Sequence, residues 1–408
     1  MDFADLLSVD EARARVLDAI RPLEAEEVEL RDAQGLVTAE AIRAPHALPR
    51  FDNSAMDGYA VVAADVASAS DTAPVSLNIA GEVRAGAPGD VRVEPGHAAR
   101  IMTGAPLPEG ADAVVMVEVT EEHDDVVVVK GGAHPGQHVR PAGDDLPAGA
   151  LLVAPGTELG PGELALLGSM GVTPVKVRRG PRVALLVTGD ELVNLDQEPG
   201  PGQIRDSNGL ALTALVSQEG GRLVLSERVP DVRSAVVAAF ERAAACADLV
   251  LSSGGVAVGK YDFVKEVVSE LGHIELWRVA MQPGKPVVLG SFAGVPFLGL
   301  PGNPVSVHVG FEQFVRPAIR ALRGCSSLLR PTLQATLSEG LTKKPGRLHF
   351  VRVRLRSEQG AWVATPTGPQ GSHIQSSLVD CHGVARFERD ESEIKEGQQV
   401  TVEVWRLP

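Results

Sequence analysis

Between residues 182 and 324 the chain alternates two hydrophobic rhythms. RVALLV, RLVLSERV and ADLVL are short runs rich in branched apolar residues and read as buried strands. GLALTALVSQEGG, PDVRSAVVAAFERAAACA, YDFVKEVVSELG and a final VSVHVGFEQFVRPAIRALRG carry apolar residues at helical spacing. Strand and helix in alternation predict a parallel sheet with helices on both faces, right-handed crossovers, and ligands at the carboxyl ends of the strands. On that geometry TGDEL (188–192), SSGG (252–255) and PGKP (283–286) share one rim.

The rhythm differs elsewhere. Residues 46–146 hold many short apolar runs, among them YAVVAAD, PVSLNIAGEV, AVVMVEV and DVVVVKGG, separated by Gly, Pro and Asp, which predicts a β-rich insertion. Residues 27–45 and 147–177 flank it as one composite linking domain. After Arg330-Pro331, strict alternation in LHFVRVRLR (348–356) and VTVEVWRL (400–407) predicts a small barrel-like β domain over 328–408. The expected fold class is a multidomain α/β and β chain whose three-layer α/β/α domain comprises residues 1–26 and 178–327. Arg352, Arg354 and Arg356 read as a solvated strand face, whereas Arg347 follows Pro345-Gly346 in a turn.

Three glycine/proline loops follow strand-like runs: SSGGVAVGKYDF (252–263), MQPGKP (281–286) and GLPGNPVS (299–306). A glycine turn feeding a helix offers unpaired N–H groups and a positive helix end to an oxyanion. That nominates Ser252, Ser253, Gly254, Gly255, Pro301 and Asn303. Ordinary turns explain any one loop, but turn chemistry asks for neither Lys285 nor Ser306. Asp190 and Glu191 end the strand RVALLV, and adjacent carboxylates repel unless a cation or a shared proton relieves them, so a magnesium ion against phosphate oxygens is their natural use. Asp231 and Asp262 are further candidates at the same rim, with helix N-capping as the alternative reading of each.

A charge of 38 − 53 = −15 argues against wholesale binding to nucleic acid or an acidic membrane surface, so an anionic substrate needs a local basic site. The cysteines, Cys246, Cys325 and Cys381, have neither C-x-x-C nor metal-ligand spacing, and no apolar stretch approaches a membrane span; a reducing cytoplasm fits. A second polar cluster occupies the β-rich segment in FDNSAMDGYA (51–60), RAGAPG (84–89), RIMTGAPLPEGADAVVMVE (100–118) and VRPAGDDLPAGA (139–150).

Taken in order, NSAMDGYA, MTGAPLPEGADAVV, TGDEL, SSGG, PGKP, LPGNPVS and TGPQGSH (367–373) make the whole chain resemble the MoeA family, the molybdopterin molybdenumtransferases, whose relatives include the E domain of gephyrin. The resemblance implies transfer of molybdenum from molybdate to the dithiolene of adenylylated molybdopterin, with AMP release, magnesium dependence and a homodimer whose clefts are shared between subunits. It makes the α/β domain the molybdopterin-binding one. It implies functional roles for Asp57, Thr103, Arg140, Asp145, Glu191, Asp231, Asp262, Lys285, Pro301, Ser306, Arg347 and Ser372. Lys285, Ser306, Arg347 and Ser372 would hold molybdate; Asp190, Glu191 and Asp262 would hold magnesium. This chain departs from many members at Gln282, where they carry Lys, and at Lys260, where they carry an acid. Two alternative functions are ATP-dependent adenylylation of molybdopterin and a gephyrin-like scaffold.

Overall fold

The structure, a computed structural model, describes residues 6–86, 90–255 and 263–408. Its α/β portion runs β1 (Arg182–Thr188), α1 (Ser207–Gln218), β2 (Arg222–Val229), α2 (Arg233–Cys246), β3 (Leu249–Ser253), α3 (Phe263–Leu271), β4 (Gly272–Arg278), β5 (Pro286–Phe292), β6 (Val295–Leu300) and α4 (Pro304–Gly310). The sheet order is β2-β1-β3-β6-β5-β4. Along β1, Val183, Leu185 and Val187 enter one core with α1 and the N-terminal helix Val9–Asp18, while Ala184 and Leu186 enter another with α2 and α3. Burial on both faces explains why this strand reads as a continuous apolar run.

The expected parallel sheet is parallel over β2, β1, β3 and β6, and its far edge is antiparallel. The cause is a two-residue turn: Ala293 and Gly294 have φ of 48° and 81°, which folds β5 and β6 into a hairpin. One consequence matters for function. Because β5 runs opposite to β6, the 283–286 loop precedes its strand yet lies at the end where β6 finishes, with Val288 paired to Gly299.

Past α4 the helix passes through a π-helical segment, Phe311–Val315, into Arg316–Leu322. Residues 58–61, 75–83, 97–101, 113–116, 120–123 and 126–129 form a separate six-stranded sheet. Glu26–Val28 and Val37–Thr38 both pair with Val175–Arg178, and Ile42–Arg43 pairs with Leu151–Val153. At the C-terminus, strands 348–358, 361–366, 332–337, 399–404 and 383–387 pair in that order and close back on 348–358 as a five-stranded barrel. Met281–Gln282 adds to the barrel beside Leu348 and His349, tying the loop before β5 to the C-terminal domain.

Candidate active site

The rim is assembled backbone against backbone. Val187 pairs with Ser253 and Ser253 with Leu300, so the loops leaving β1, β3 and β6 start level. Gly254 and Gly255 have φ of 86° and 68°, and the Gly254 N–H donates to Leu300 O at 3.0 Å. A Cβ on Gly254 would stand 2.6 Å from Thr188 O, so only glycine permits this approach. Asn208, in the first turn of α1, donates through Nδ2 to Ser253 Oγ (3.1 Å) and to Gly302 O (2.7 Å), linking two of the loops. Asp206 caps the same helix by accepting from Gly209 N. Together they line a cavity of about 490 Å³ with Thr188, Glu191, Arg205, Asn303 and His373. Thr188 Oγ1, in its lining, and Ser252 Oγ, next along the chain to Ser253, are buried without a hydrogen-bond partner among the described residues. Buried polar atoms are normally satisfied, so these two suit a site completed by a polar ligand.

Three acids share this rim. Asp231 N donates to Asp190 Oδ1 at 3.3 Å. The Asp231 carboxyl is pushed above its ordinary range by partial burial and then by the charges of Asp190 and Glu191. It is not a helix cap: Val232 occupies the N-cap of α2, without a side-chain capping bond. The Glu191 carboxylate folds back over Gly189, whose added Cβ would meet Oε2 at 2.7 Å. A second cavity, about 680 Å³, adjoins Asp190, Gln203, Arg228 and Pro230. Among the described residues no three acid, His or Cys side chains close around a metal position. Magnesium takes one or two carboxylates and completes its shell with water and substrate phosphates, so open, mutually repelling acids are a donor set that fits it. Asp262 and Lys260 lie outside the described residues.

The segments that carry the oxyanion candidates adjoin one another through their backbones. Gly284, with φ of 95°, faces Ser306, whose carbonyl oxygen would lie 3.5 Å from an added Cβ. Ser306 is buried in the first turn of α4, behind a buried Pro301 and an exposed Asn303 at the N-cap. Val305 N donates to Ser372 O at 3.2 Å, which docks the 367–373 segment on that helix start. Leu348 N donates to Ala280 O at 2.8 Å and carries Arg347 alongside the 281–286 loop. Lys343 Nζ, donating to Arg347 O at 3.0 Å, fixes the Pro345-Gly346 turn. Lys285 is half-buried, and its own carbonyl accepts from Val279 N at 2.8 Å.

One sequence expectation fails here. Arg354 and Arg356 are exposed, but Arg352 is fully buried. Its side chain faces away from Val351 and Val353, which fill the barrel, and reaches the 369–371 backbone instead. Strict alternation carries no mark of which face another segment covers.

Asp57, Thr103, Arg140 and Asp145 form a separate group. Thr103 donates to Asp57 Oδ1 from its backbone N (2.7 Å) and from Oγ1 (2.8 Å), which holds the Asp57 carboxyl below its usual range. Arg140 pairs with Asn53, and Asp145 N donates to Leu48 O. These bonds all run within the 46–146 segment, away from the 182–306 rim. Sequence reading missed Arg205, Asn208 and His373; the polar run RDSN before a helix pattern was the available signal for the first two.

Comparison with known proteins agrees with the multidomain fold. Residues 7–171 match the MoeA N-terminal region (domain I and II), 184–321 a probable molybdopterin binding domain, and 334–405 the MoeA C-terminal region (domain IV). The chain belongs to the MoeA family. It is 38% identical over 406 residues to molybdopterin molybdenumtransferase 2 of Mycobacterium tuberculosis, covering 98% of this chain and 99% of that one. It is 37% identical to the molybdopterin molybdenumtransferase of Haemophilus influenzae, covering 98% of each. A solved MoeA protein from Pyrococcus horikoshii superposes with a TM-score of 0.84 at 33% identity, over 98% of this chain and 99% of that one.

Proposed function

We propose that the protein is a molybdopterin molybdenumtransferase: it takes adenylylated molybdopterin and molybdate, releases AMP, and leaves molybdenum on the dithiolene. The observation that carries this reading is that, at one end of a sheet, a carboxylate rim adjoins the segments that bear Lys285, Ser306 and Ser372. The rim suits a phosphate-bearing substrate, since Arg205 and His373 line its cavity beside the start of α4, which adds a positive helix end. On the adjoining segments, cationic and hydroxyl donors suit a tetrahedral dianion through charge-assisted hydrogen bonds.

Asp190, Glu191 and Asp231 would hold magnesium, which when bound screens phosphate charge and stabilises the charge that develops as the pyrophosphate link breaks. Asn208 keeps the β3 and β6 loops in register while the substrate is bound. Gln282 pairs with His349, and Arg347, two residues earlier, would supply the charge that a lysine at position 282 brings in many relatives.

Two features support a homodimer with composite clefts. Asp57 and Thr103 are ringed by exposed Phe51, Met56, Met102 and Val117, while the rim is flanked by exposed Leu195, Ile204, Leu210 and Val232. Exposed apolar surface in two such groups, each around a polar site, fits burial against a second copy. No helix among the described residues is long and apolar enough to cross a membrane, and three free thiols suit a cytoplasmic location. The test is product identity: incubation with adenylylated molybdopterin, molybdate and magnesium should yield a cofactor that reactivates a molybdenum-free molybdoenzyme. Activity that instead requires ATP and liberates pyrophosphate would assign the sister adenylylation.

A further inference from the structure

Arg352 is a buried cation that meets no carboxylate among the described residues. Its guanidinium is fully inaccessible, donating from Nε to Ser377 Oγ (3.0 Å) and from one terminal nitrogen to the carbonyls of Pro369 and Gly371 (3.3 Å each). The other terminal nitrogen, Nη1, is buried with no hydrogen-bond partner among the described residues. Its backbone is engaged with the same loop: Arg352 N donates to Gln370 Oε1 at 2.9 Å, and Gln370 Nε2 donates to Arg352 O at 3.3 Å. Burial alone brings the guanidinium pKa down to about 10. A buried charge normally has a counter-charge, because leaving one unpaired costs several kcal/mol.

The geometry of the loop suggests what the charge is for. In a trans peptide the N–H points opposite to the C=O it shares a plane with. Holding the Pro369 and Gly371 carbonyls down on Arg352 therefore turns the N–H groups of Gln370 and Ser372 outward. The Ser372 N–H has no partner among the described residues, and the Ser372 carbonyl meets Val305 N at the start of α4, one residue before Ser306. We propose that Arg352 is the positioning residue of the oxyanion cradle: it clamps the 369–371 backbone so that the Ser372 amide and hydroxyl face the anion, and it supplies a buried positive charge that a bound dianion balances. This rests on the reading of Lys285, Ser306, Arg347 and Ser372 as the molybdate cradle, but Arg352 itself touches neither substrate.

The experiment compares wild type with Arg352→Met, which removes charge and clamp, and Arg352→Lys, which keeps the charge but cannot span both carbonyls and Ser377. Molybdate binding is measured directly by equilibrium dialysis, and the molybdate concentration for half-maximal AMP release is measured alongside the affinity for adenylylated molybdopterin. The expected result is at least a tenfold weaker molybdate affinity in Arg352→Met, a smaller loss in Arg352→Lys, AMP release near wild type at saturating molybdate, and pterin affinity within twofold. A residue that only stabilised the barrel would lower the melting temperature and leave molybdate affinity of the folded fraction unchanged; that outcome overturns the inference. So does unfolding of both variants, which would make Arg352 a residue of the fold alone. If wild type binds molybdate in dialysis yet shows no molybdate-dependent AMP release, the proposed function fails while the dialysis comparison still decides the role of Arg352. If wild type binds no molybdate, both fail.

Discussion

Asp231 exposes the electrostatics of the rim most directly. Its carboxyl is pushed up by burial and by Asp190 and Glu191, so its ionised form strains the fold at pH 7. This acid costs stability above its folded pKa, and the cost fades as pH falls from that value to the lower, unfolded one. Asp231→Asn should therefore leave the metal-free protein as stable as wild type or slightly more so, while narrowing the rise in melting temperature that magnesium produces; thermal scans with and without magnesium read both effects. Glu191→Gln keeps shape and removes charge. The variant should fold and bind adenylylated molybdopterin yet release AMP slowly in a single turnover, whereas normal release with a lowered melting temperature would make Glu191 a brace for the loop. For the anion, Arg347→Ala should raise the molybdate requirement roughly 10- to 100-fold, the loss of a charge-assisted hydrogen bond worth about 1.5–3 kcal/mol. Gln282→Lys should lower it, and equal losses of pterin and molybdate affinity in Arg347→Ala would mark that residue as structural.

Elements with one dominant period were legible from sequence, and elements defined by their partners were not. The run Val236, Ala239, Phe240, Ala243 buries one stripe of α2, and the same spacing had marked the helix. The shared rim of TGDEL, SSGG and PGKP was also legible, although PGKP arrives there through an antiparallel strand. Ala293-Gly294 hid that reversal, since alanine at positive φ is not a turn signal of the Asn-Gly kind. Arg352 was misread because alternation along 348–356 shows which residues share a face and nothing about what lies against it. The run RDSN marks Asn208 as polar at a helix start, but its role needs α1 docked, because its amide bridges two loops distant in sequence. Asn208→Leu should therefore loosen both loops together, weakening pterin binding by on the order of tenfold, the equivalent of about 1.4 kcal/mol, while the helix itself stays intact by circular dichroism.

At the scale of the molecule, buried charge joins the domains. Glu219, at the end of α1, meets Arg316 (3.0 Å) and Arg330 (2.8 Å); Arg330 also meets Glu312 (2.9 Å), and Arg323 reaches Glu158 (3.1 Å) and Gly35 O (2.6 Å). Gly35 and Glu158 belong to the linking segments and Arg330 leads into the barrel, so this network spans three parts of the chain. Removing one member of a buried network strands its partners, so Glu219→Ala should cost roughly 3–5 kcal/mol in denaturant unfolding. Acid should also weaken the fold. Burial, with Arg330 nearby, lowers His308 to about 4, and burial with Arg352, Lys343 and Arg347 nearby lowers His349 to about 4. Unfolded histidines take up protons near 6.5, so stability should fall as pH drops from about 6.5 to about 4. Glu312, raised by burial, works in the opposite direction. His349→Gln should flatten the acid limb of a melting-temperature profile, and an unchanged limb would remove His349 from it.

The expectations about molybdate, magnesium and pterin depend on one reaction. AMP release from adenylylated molybdopterin, followed with and without molybdate and magnesium, tests it most directly. The account predicts release that is slow with the pterin alone, accelerated by molybdate, and dependent on magnesium, with no ATP required. Release at the same rate whether or not molybdate is present would contradict it.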